Sequence, residues 1–254
     1  VSSTNIEIEK MVNMKKIAVR LKKFIMSRVC LVLWTVAVCS SCSTSKFINP
    51  NINPIEINWM LKIEPFSYIS LIETGNKSTY NEVISSSTKM ILNESVEAFR
   101  VRLRLSSKEI RLTDSFEKNQ LEQELNFLIM SAEQNRSKNN IPITPLISSL
   151  LSKNDARFGL IIVQSGFTRV KGNYGGQVAM AIGIGIATGL LTGVAFTPMP
   201  EKAESTLHAM IVDNQNKNVV FYNKSVLKGK EPTEKTNIIK QIDKVFEKYY
   251  WVKR

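Results

Sequence analysis

Cysteine is absent beyond position 42, and histidine occurs once, at His208. So few soft ligands exclude a zinc site of ordinary spacing, a Cys/His or Ser/His nucleophile pair, and a disulfide framework. Proline (8) and glycine (11) are scarce and 43% of the 254 residues are hydrophobic. That composition excludes collagen-like and disordered classes and leaves apolar material for a core of one or two domains. Phosphate-binding fingerprints are missing too. Gly183-Ile184-Gly185 has no third glycine, and Gly166 to Gly172 lacks a Gly-Lys-Ser/Thr ending. Glu94, Glu97, Glu122 and Glu124 fall on helical faces that read as solvated. His208 has no partner of its kind and reads as structural. No catalytic residue, metal ligand or cofactor site is expected.

What the chain does have is an address. Lys15, Lys16, Arg20, Lys22, Lys23 and Arg28 precede an uncharged run, Val29 to Val38, which ends in Cys39-Ser40-Ser41-Cys42. This order is that of a bacterial secretion signal. Only 17 uncharged residues separate Arg28 from Lys46, fewer than the ~20 apolar residues a spanning helix needs. Ser40-Ser41-Cys42 resembles the lipobox of bacterial lipoproteins, in its relaxed Bacteroidetes form, with Cys39 where an aliphatic is usual. The resemblance implies that the Cys42 thiol is alkylated with diacylglycerol and that Cys42 becomes the acylated first residue. Two to three acyl chains, such as palmitate, anchor stably where one does not. Ordinary cleavage after a small residue is the alternative. Glu7 and Glu9 precede the signal, so Met14 is read as the initiator and residues 1–41 as over-extended start plus signal peptide.

Lys plus Arg is 34 against 22 Asp plus Glu, a formal +12, but residues 1–41 hold 7 basic and 2 acidic residues. Beyond them the counts are 27 and 20, a net +7. Such a balance suits an anionic surface such as lipid head groups, or simply mixed solvated helix faces. No basic cluster is interleaved with aromatics, so nucleic acid is not an expected partner.

Residues 42–54 are polar and proline-punctuated and read as a lipidated tether, with an α/β domain over 55–254. Within that domain Ile55 to Ile63 and Phe66 to Ile72 are β-prone runs broken by Pro65. Thr79 to Leu105 shows helical spacing through Tyr80, Val83, Ile84, Ile91, Leu92, Val96, Phe99 and Leu103. Asp114-Ser115-Phe116-Glu117 has a capping-box layout, followed by Leu121, Leu125, Leu128, Ile129 and Ala132 at helical spacing. A short strand is expected at Ile110 to Leu112, a short helix at Leu146 to Leu151, and a strand buried on both faces from Phe158 to Val170. Thr206 to Val212 alternates, turns over Asp213 to Asn218, and returns as Val219 to Tyr222. A last helix carries Ile238, Ile239, Ile242, Val245, Phe246, Tyr249 and Tyr250 on one face. These elements predict an α/β fold: a single three-layer-like domain with a mixed sheet flanked by helices, preceded by the signal peptide.

From Gly166 through the apolar segment to Asp213, Val219-Val220-Phe221, Asn223 and the closing helix, the chain resembles bacterial envelope lipoproteins related to the curli-secretion assembly protein and the amino-terminal domain of the Tol translocation protein. Lys217 stands where that group has Gly, and Phe221 where it has Trp. The turn is therefore expected to place its left-handed residue at Asn216 or Asn218.

Residues 172–200 carry no charge, and 175–197 form an apolar Gly/Ala-rich segment. As a helix it aligns Ala181, Gly185, Gly189 and Gly193 in a small-residue stripe, a glycine zipper open to close contact. As strands, Val178 to Ala187 alternates in a way that also suits a membrane hairpin. A single span is the third reading. The expected function is a non-enzymatic envelope assembly or scaffold lipoprotein, at the periplasmic face of the outer membrane of a Gram-negative bacterium. Its partners are the membrane, through acyl chains on Cys42, and an envelope protein or further copies of itself. An oligomeric channel or secretion-type lipoprotein is the alternative from a different class, and an envelope hydrolase a weaker one.

Overall fold

The computed structural model describes residues 46–49, 52–73, 77–134, 140–170 and 201–247. Contacts divide the chain into two units at Ser43/Thr44, and all described residues belong to the second. That unit is an α/β fold, a mixed sheet with helices on both faces.

Among the described residues its strands are β1 (Lys46–Ile48), β2 (Met60–Ile63), β3 (Phe66–Ile72), β4 (Ser78–Tyr80), β5 (Leu105–Ile110), β6 (Phe158–Arg169), β7 (Glu204–Asp213) and β8 (Asn218–Lys228). The α-helices among the described residues are α1 (Glu82–Ala98), α2 (Ser115–Gln134), α3 (Pro145–Ser152) and α4 (Lys235–Phe246). The strand order is β1-β8-β7-β6-β2-β5, with β3 also beside β6 and β4 beside β3. β6 is the spine. It runs antiparallel to β7 on one edge and parallel to β2 and then β3 on the other. β2 and β3 are separated at Pro65, which has no N–H to give the ladder, and β6 bridges the break.

Two cores follow from the strands' period of two. On one face Ile161, Val163, Met210, Val212 and Tyr222 pack under Leu121, Leu125, Leu128, Ile129 and Ala132 of α2 and Ile147, Leu150 and Leu151 of α3. On the other, Leu160, Ile162, Leu207, Ala209, Ile211 and Phe221 pack under Leu92 and Val96 of α1 and Ile238, Ile242, Val245 and Phe246 of α4. A strand covered on both sides has no polar face to show, which is why β6 reads as a continuous apolar run.

Residue-level expectations hold best for α2. The Asp114 carboxylate accepts from Phe116 N and Glu117 N, each at 3.2 Å, and caps the helix. Asp114→Ala is expected to cost about 1 kcal/mol of stability, measured as a shift in urea midpoint at constant slope.

Four expectations need correction. The tether extends less far than residue 54, because Lys46–Ile48 pairs antiparallel with Phe221–Asn223 and Phe47 and Ile52 are buried. The α1 helix is shorter than 79–105: Asn81 caps it by accepting from Ile84 N at 2.9 Å, and after Phe99 the chain turns, with Arg104 at φ 53°. Its buried face carries Ser85, Thr88 and Ser95 beside Leu92 and Val96, while Val83 of the expected stripe is exposed. The strand expected at 110–112 is β5, shifted back to 105–110. Lastly, the left-handed residue of the hairpin turn is Lys217, at φ 53°, and neither neighbouring asparagine. Its ammonium donates to Ser148 Oγ at 2.7 Å and Asn214 Oδ1 at 2.8 Å, contacts that offset the cost of a side chain in that region.

Candidate functional site

Cys42 and the segment 175–197, with Ala181, Gly185, Gly189 and Gly193, lie outside the described residues. Among the described residues, three charged or polar clusters stand out.

The first gathers around Lys62, in the middle of a strand whose neighbours Leu61 and Ile63 are core residues. Its side chain is 5% exposed, pointing to the α1 side of the sheet. The ammonium donates to Asn93 Oδ1 at 2.7 Å and pairs with Glu109 Oε1 at 2.9 Å and Glu97 Oε2 at 3.7 Å. Arg100 closes on Glu97, and Arg111 Nε donates to Glu109 Oε2 at 2.9 Å. Together with Ser107 these side chains line a cavity of about 460 Å³ between α1 and β5. Bonds from Arg100 hold the Glu97 carboxyl below the usual range against a smaller opposing effect of burial. At Glu109 burial opposes ionisation, but the bonds from Lys62 and Arg111 outweigh it, and that carboxyl too is held low. Both acids therefore stay ionised near neutral pH, and neither is poised to give up a proton there. The cluster straps edge strand β5 and helix α1 to β2. Glu97 belongs to it, so the solvated face expected for that residue is half a contact surface. Sequence spacing could not unite positions so far apart; the one local sign was a lysine inside an apolar strand.

The second cluster surrounds His208 on the opposite face. Tyr222 OH donates to Glu133 Oε1 at 2.7 Å, and Lys224 Nζ donates to the same oxygen at 2.8 Å. The phenol has given its only proton to the carboxylate, so the 2.9 Å contact between Tyr222 OH and His208 Nδ1 requires Nδ1–H to donate. His208 is then the Nδ1-protonated tautomer. Its Nε2 lone pair is buried without a partner among the described residues. Burial lowers the imidazole pKa to about 4, with the Glu133 charge opposing and Lys224 adding to the shift. Burial also opposes ionisation of Glu133, but its bonds from Lys224 and Tyr222 prevail and keep the carboxyl below the usual range. The chain His208–Tyr222–Glu133–Lys224 ties β7 and β8 to α2.

The third is the turn that carried the sequence resemblance. Asp213 is fully buried, and its carboxylate accepts from Gln215 N at 2.8 Å, Asn216 Nδ2 at 2.9 Å and Arg157 Nη2 at 3.2 Å. Phe221 stacks on Phe246 of α4 at 5.6 Å, and Asn223 Nδ2 donates to Val245 O at 2.7 Å. Beside them Gln241 of α4 donates to Ser205 O and Ser225 O at 2.9 Å and accepts from Ser205 Oγ at 2.8 Å. Asp213, Phe221 and Asn223 are thus fastenings that hold the hairpin and the last helix to the sheet.

Among the described residues no three His, Cys, Asp or Glu side chains converge in a way that could hold a metal ion, and no helix is long and apolar enough to cross a membrane. No family model matches the sequence, and no curated protein matches it either. Solved structures with some likeness include PelC from Paraburkholderia phytofirmans, a dodecamer, at 9% identity and TM-score 0.36, covering 83% of this chain and 99% of that one. The LpoB C-terminal domain from Salmonella enterica aligns at 8% identity and TM-score 0.25, over 70% and 86% of the two chains. A DUF4136 family protein from Bacteroides thetaiotaomicron does so at 9% and 0.29, over 80% and 92%.

Proposed function

We propose that this chain is a lipoprotein of the Gram-negative envelope, held by acyl chains on Cys42 at the periplasmic face of the outer membrane. Its α/β domain acts there as a non-enzymatic assembly or scaffold component that binds another envelope protein or further copies of itself. The observation that carries the reading is the order of basic residues, apolar run and Ser40-Ser41-Cys42. No acidic run follows Cys42, in keeping with retention on the periplasmic side. Several polar side chains that fasten elements to one another fit a scaffold role: buried Lys62 on α1 and β5, buried Gln241 and Asn223 between α4 and the sheet, and half-buried Glu133 on β8.

Cells fed labelled palmitate should incorporate it into the wild-type chain and not into Cys42→Ala, which should accumulate as a larger precursor. Label retained on the variant, or absent from the wild type, overturns the anchoring. Crosslinking in intact cells should trap the chain on one defined envelope protein or on itself; a chain that stays uncrosslinked at every exposed face overturns the scaffold role.

A further inference from the structure

Helix α2 buries Leu121, Leu125, Leu128 and Ala132 against the sheet and turns its opposite side to solvent. On that outer side Phe116 is 73% exposed and Phe127 61%. At about 100° per residue, Phe116, Gln120, Gln123 and Phe127 fall within an arc of roughly 60°. All four are exposed, and half-buried Met130 borders them. The charged residues of the helix, Glu117, Lys118, Glu122, Glu124 and Glu133, all lie outside that arc.

A helix face turned to water ordinarily carries the charge. Here the charge sits on the flanks, and the outermost stripe holds aromatic and amide side chains. That is the bias of the centre of a protein interface, where aromatics and Met are enriched and Lys and Glu depleted. A lone exposed apolar residue needs no explanation, but two phenylalanines aligned about three turns apart on an uncharged stripe do. Helix α1 gives the contrast. Its Val83 and Met90 are also exposed on one stripe, yet that stripe runs into Glu94, which pairs with Lys235 at 3.0 Å.

The order of the four residues indicates the occupant. Phe116, Gln120, Gln123 and Phe127 read the same in both directions about the midpoint between Leu121 and Glu122. A two-fold axis through that midpoint lays a second α2 alongside, antiparallel, with each Phe116 against the other copy's Phe127 and each Gln120 against the other copy's Gln123. A closed two-fold contact requires such a self-complementary patch, whereas an unrelated partner does not. The uncharged stripe also spares two identical chains a head-on meeting of like charges. The four exposed rings amount to roughly 500 Å² at about 200 Å² per phenylalanine. That is small beside the ~1,200 Å² at which standard interfaces begin, so the pair is reversible.

We infer that the outer face of α2, centred on Phe116, Gln120, Gln123 and Phe127, is a docking surface for a second copy of this chain, the two helices packing antiparallel about a two-fold axis. The inference rests on the self-association arm of the scaffold reading, whose surface it names, and needs no acyl group on Cys42.

The full chain, with p-benzoylphenylalanine in place of Phe127, is irradiated in intact Gram-negative cells that express it. The expected product is a covalent homodimer joining position 127 to the peptide that holds Phe116. Its yield should be at least ten-fold above that from the same probe at Val83 on α1. Gln120→Glu combined with Gln123→Glu should lower the yield at least ten-fold, because four carboxylates then meet at the axis. Gln120→Arg combined with Gln123→Glu should keep it, because the antiparallel register sets each arginine against a glutamate. All these positions are exposed, and thermal melts check that each variant is folded. Equal loss in both paired variants, a homodimer joined elsewhere, or a different protein trapped at position 127 overturns the α2 surface and leaves the scaffold reading standing. No product from the probe at any exposed face overturns both.

Discussion

Lys62→Ala is expected to destabilise the domain by about 3 kcal/mol or more, toward the range of broken buried ion pairs. The ammonium is 5% exposed and, among the described residues, is the cation that pairs with both carboxylates of its cluster. Its removal leaves Glu109, 13% exposed, with Arg111 alone, and Glu97 with Arg100. Truncation also opens space beside the existing cavity. Lys62→Met separates the two effects, since it keeps most of the volume and deletes the charge. It should cost less than alanine, and pairing it with Glu109→Gln should recover much of the loss, because no bare carboxylate is then left behind. Urea unfolding of the four proteins measures this. A Lys62→Ala midpoint within about 0.5 kcal/mol of wild type, as for an ordinary surface change, refutes the buried strap.

A second large effect should appear on acidification. Folded His208 stays neutral down to about pH 4, whereas the unfolded chain takes up that proton near pH 6.5. Between those values the unfolded state binds more protons, so stability is complete above pH 6.5 and falls as the pH falls toward 4. The full loss is about 3 kcal/mol. Glu133 works in the same direction but lower: its depressed carboxyl contributes stability above pH 4.5 that is lost only as the pH drops further. His208→Gln can still donate to the Tyr222 oxygen but cannot titrate. Its stability should therefore fall much less between pH 6.5 and 4.5 than that of the wild type, the raised Glu204 carboxyl acting in the opposite sense in both proteins. Equal slopes in the two proteins would show that His208 is protonated while folded.

How much of this was legible depends on how local each cause is. The α2 helix was readable because its cap and five core positions lie within twenty residues and repeat with helical spacing. The β7–β8 hairpin was readable from one alternation and one polar turn. The α1 helix was over-extended because its stop is made by the Arg104 reversal, which hydrogen-bonds Pro54 O and Ile57 O from a distant part of the chain. Its buried serines were invisible to a hydrophobic pattern, since Ser95 and Ser85 satisfy their hydroxyls on Ile91 O and Ile69 O inside the core. β5 is an exposed edge strand without alternation, and β1 is a strand only because β8 waits for it. The same limit applies to the clusters. Lys62 meets Asn93, Glu97 and Glu109, and His208 is linked to Glu133 through Tyr222, through folding alone.

The pairing of β1 with β8 also bears on how the protein reaches its folded state. Phe47 closes against Tyr222, so one sheet edge is built from the two extremes of the domain. Among the described strands a chain made from its amino terminus displays β1 first and its partner last, and β6 must recruit β2 and β3 across all of α1 and α2. Contacts of such sequence separation make folding slow, with loop closure preceding any gain in stability. Until β8 arrives, the open edge of β7 and the unpaired β1 are templates for pairing with other chains. This topology therefore couples a firmly closed native sheet to a long vulnerable interval before closure.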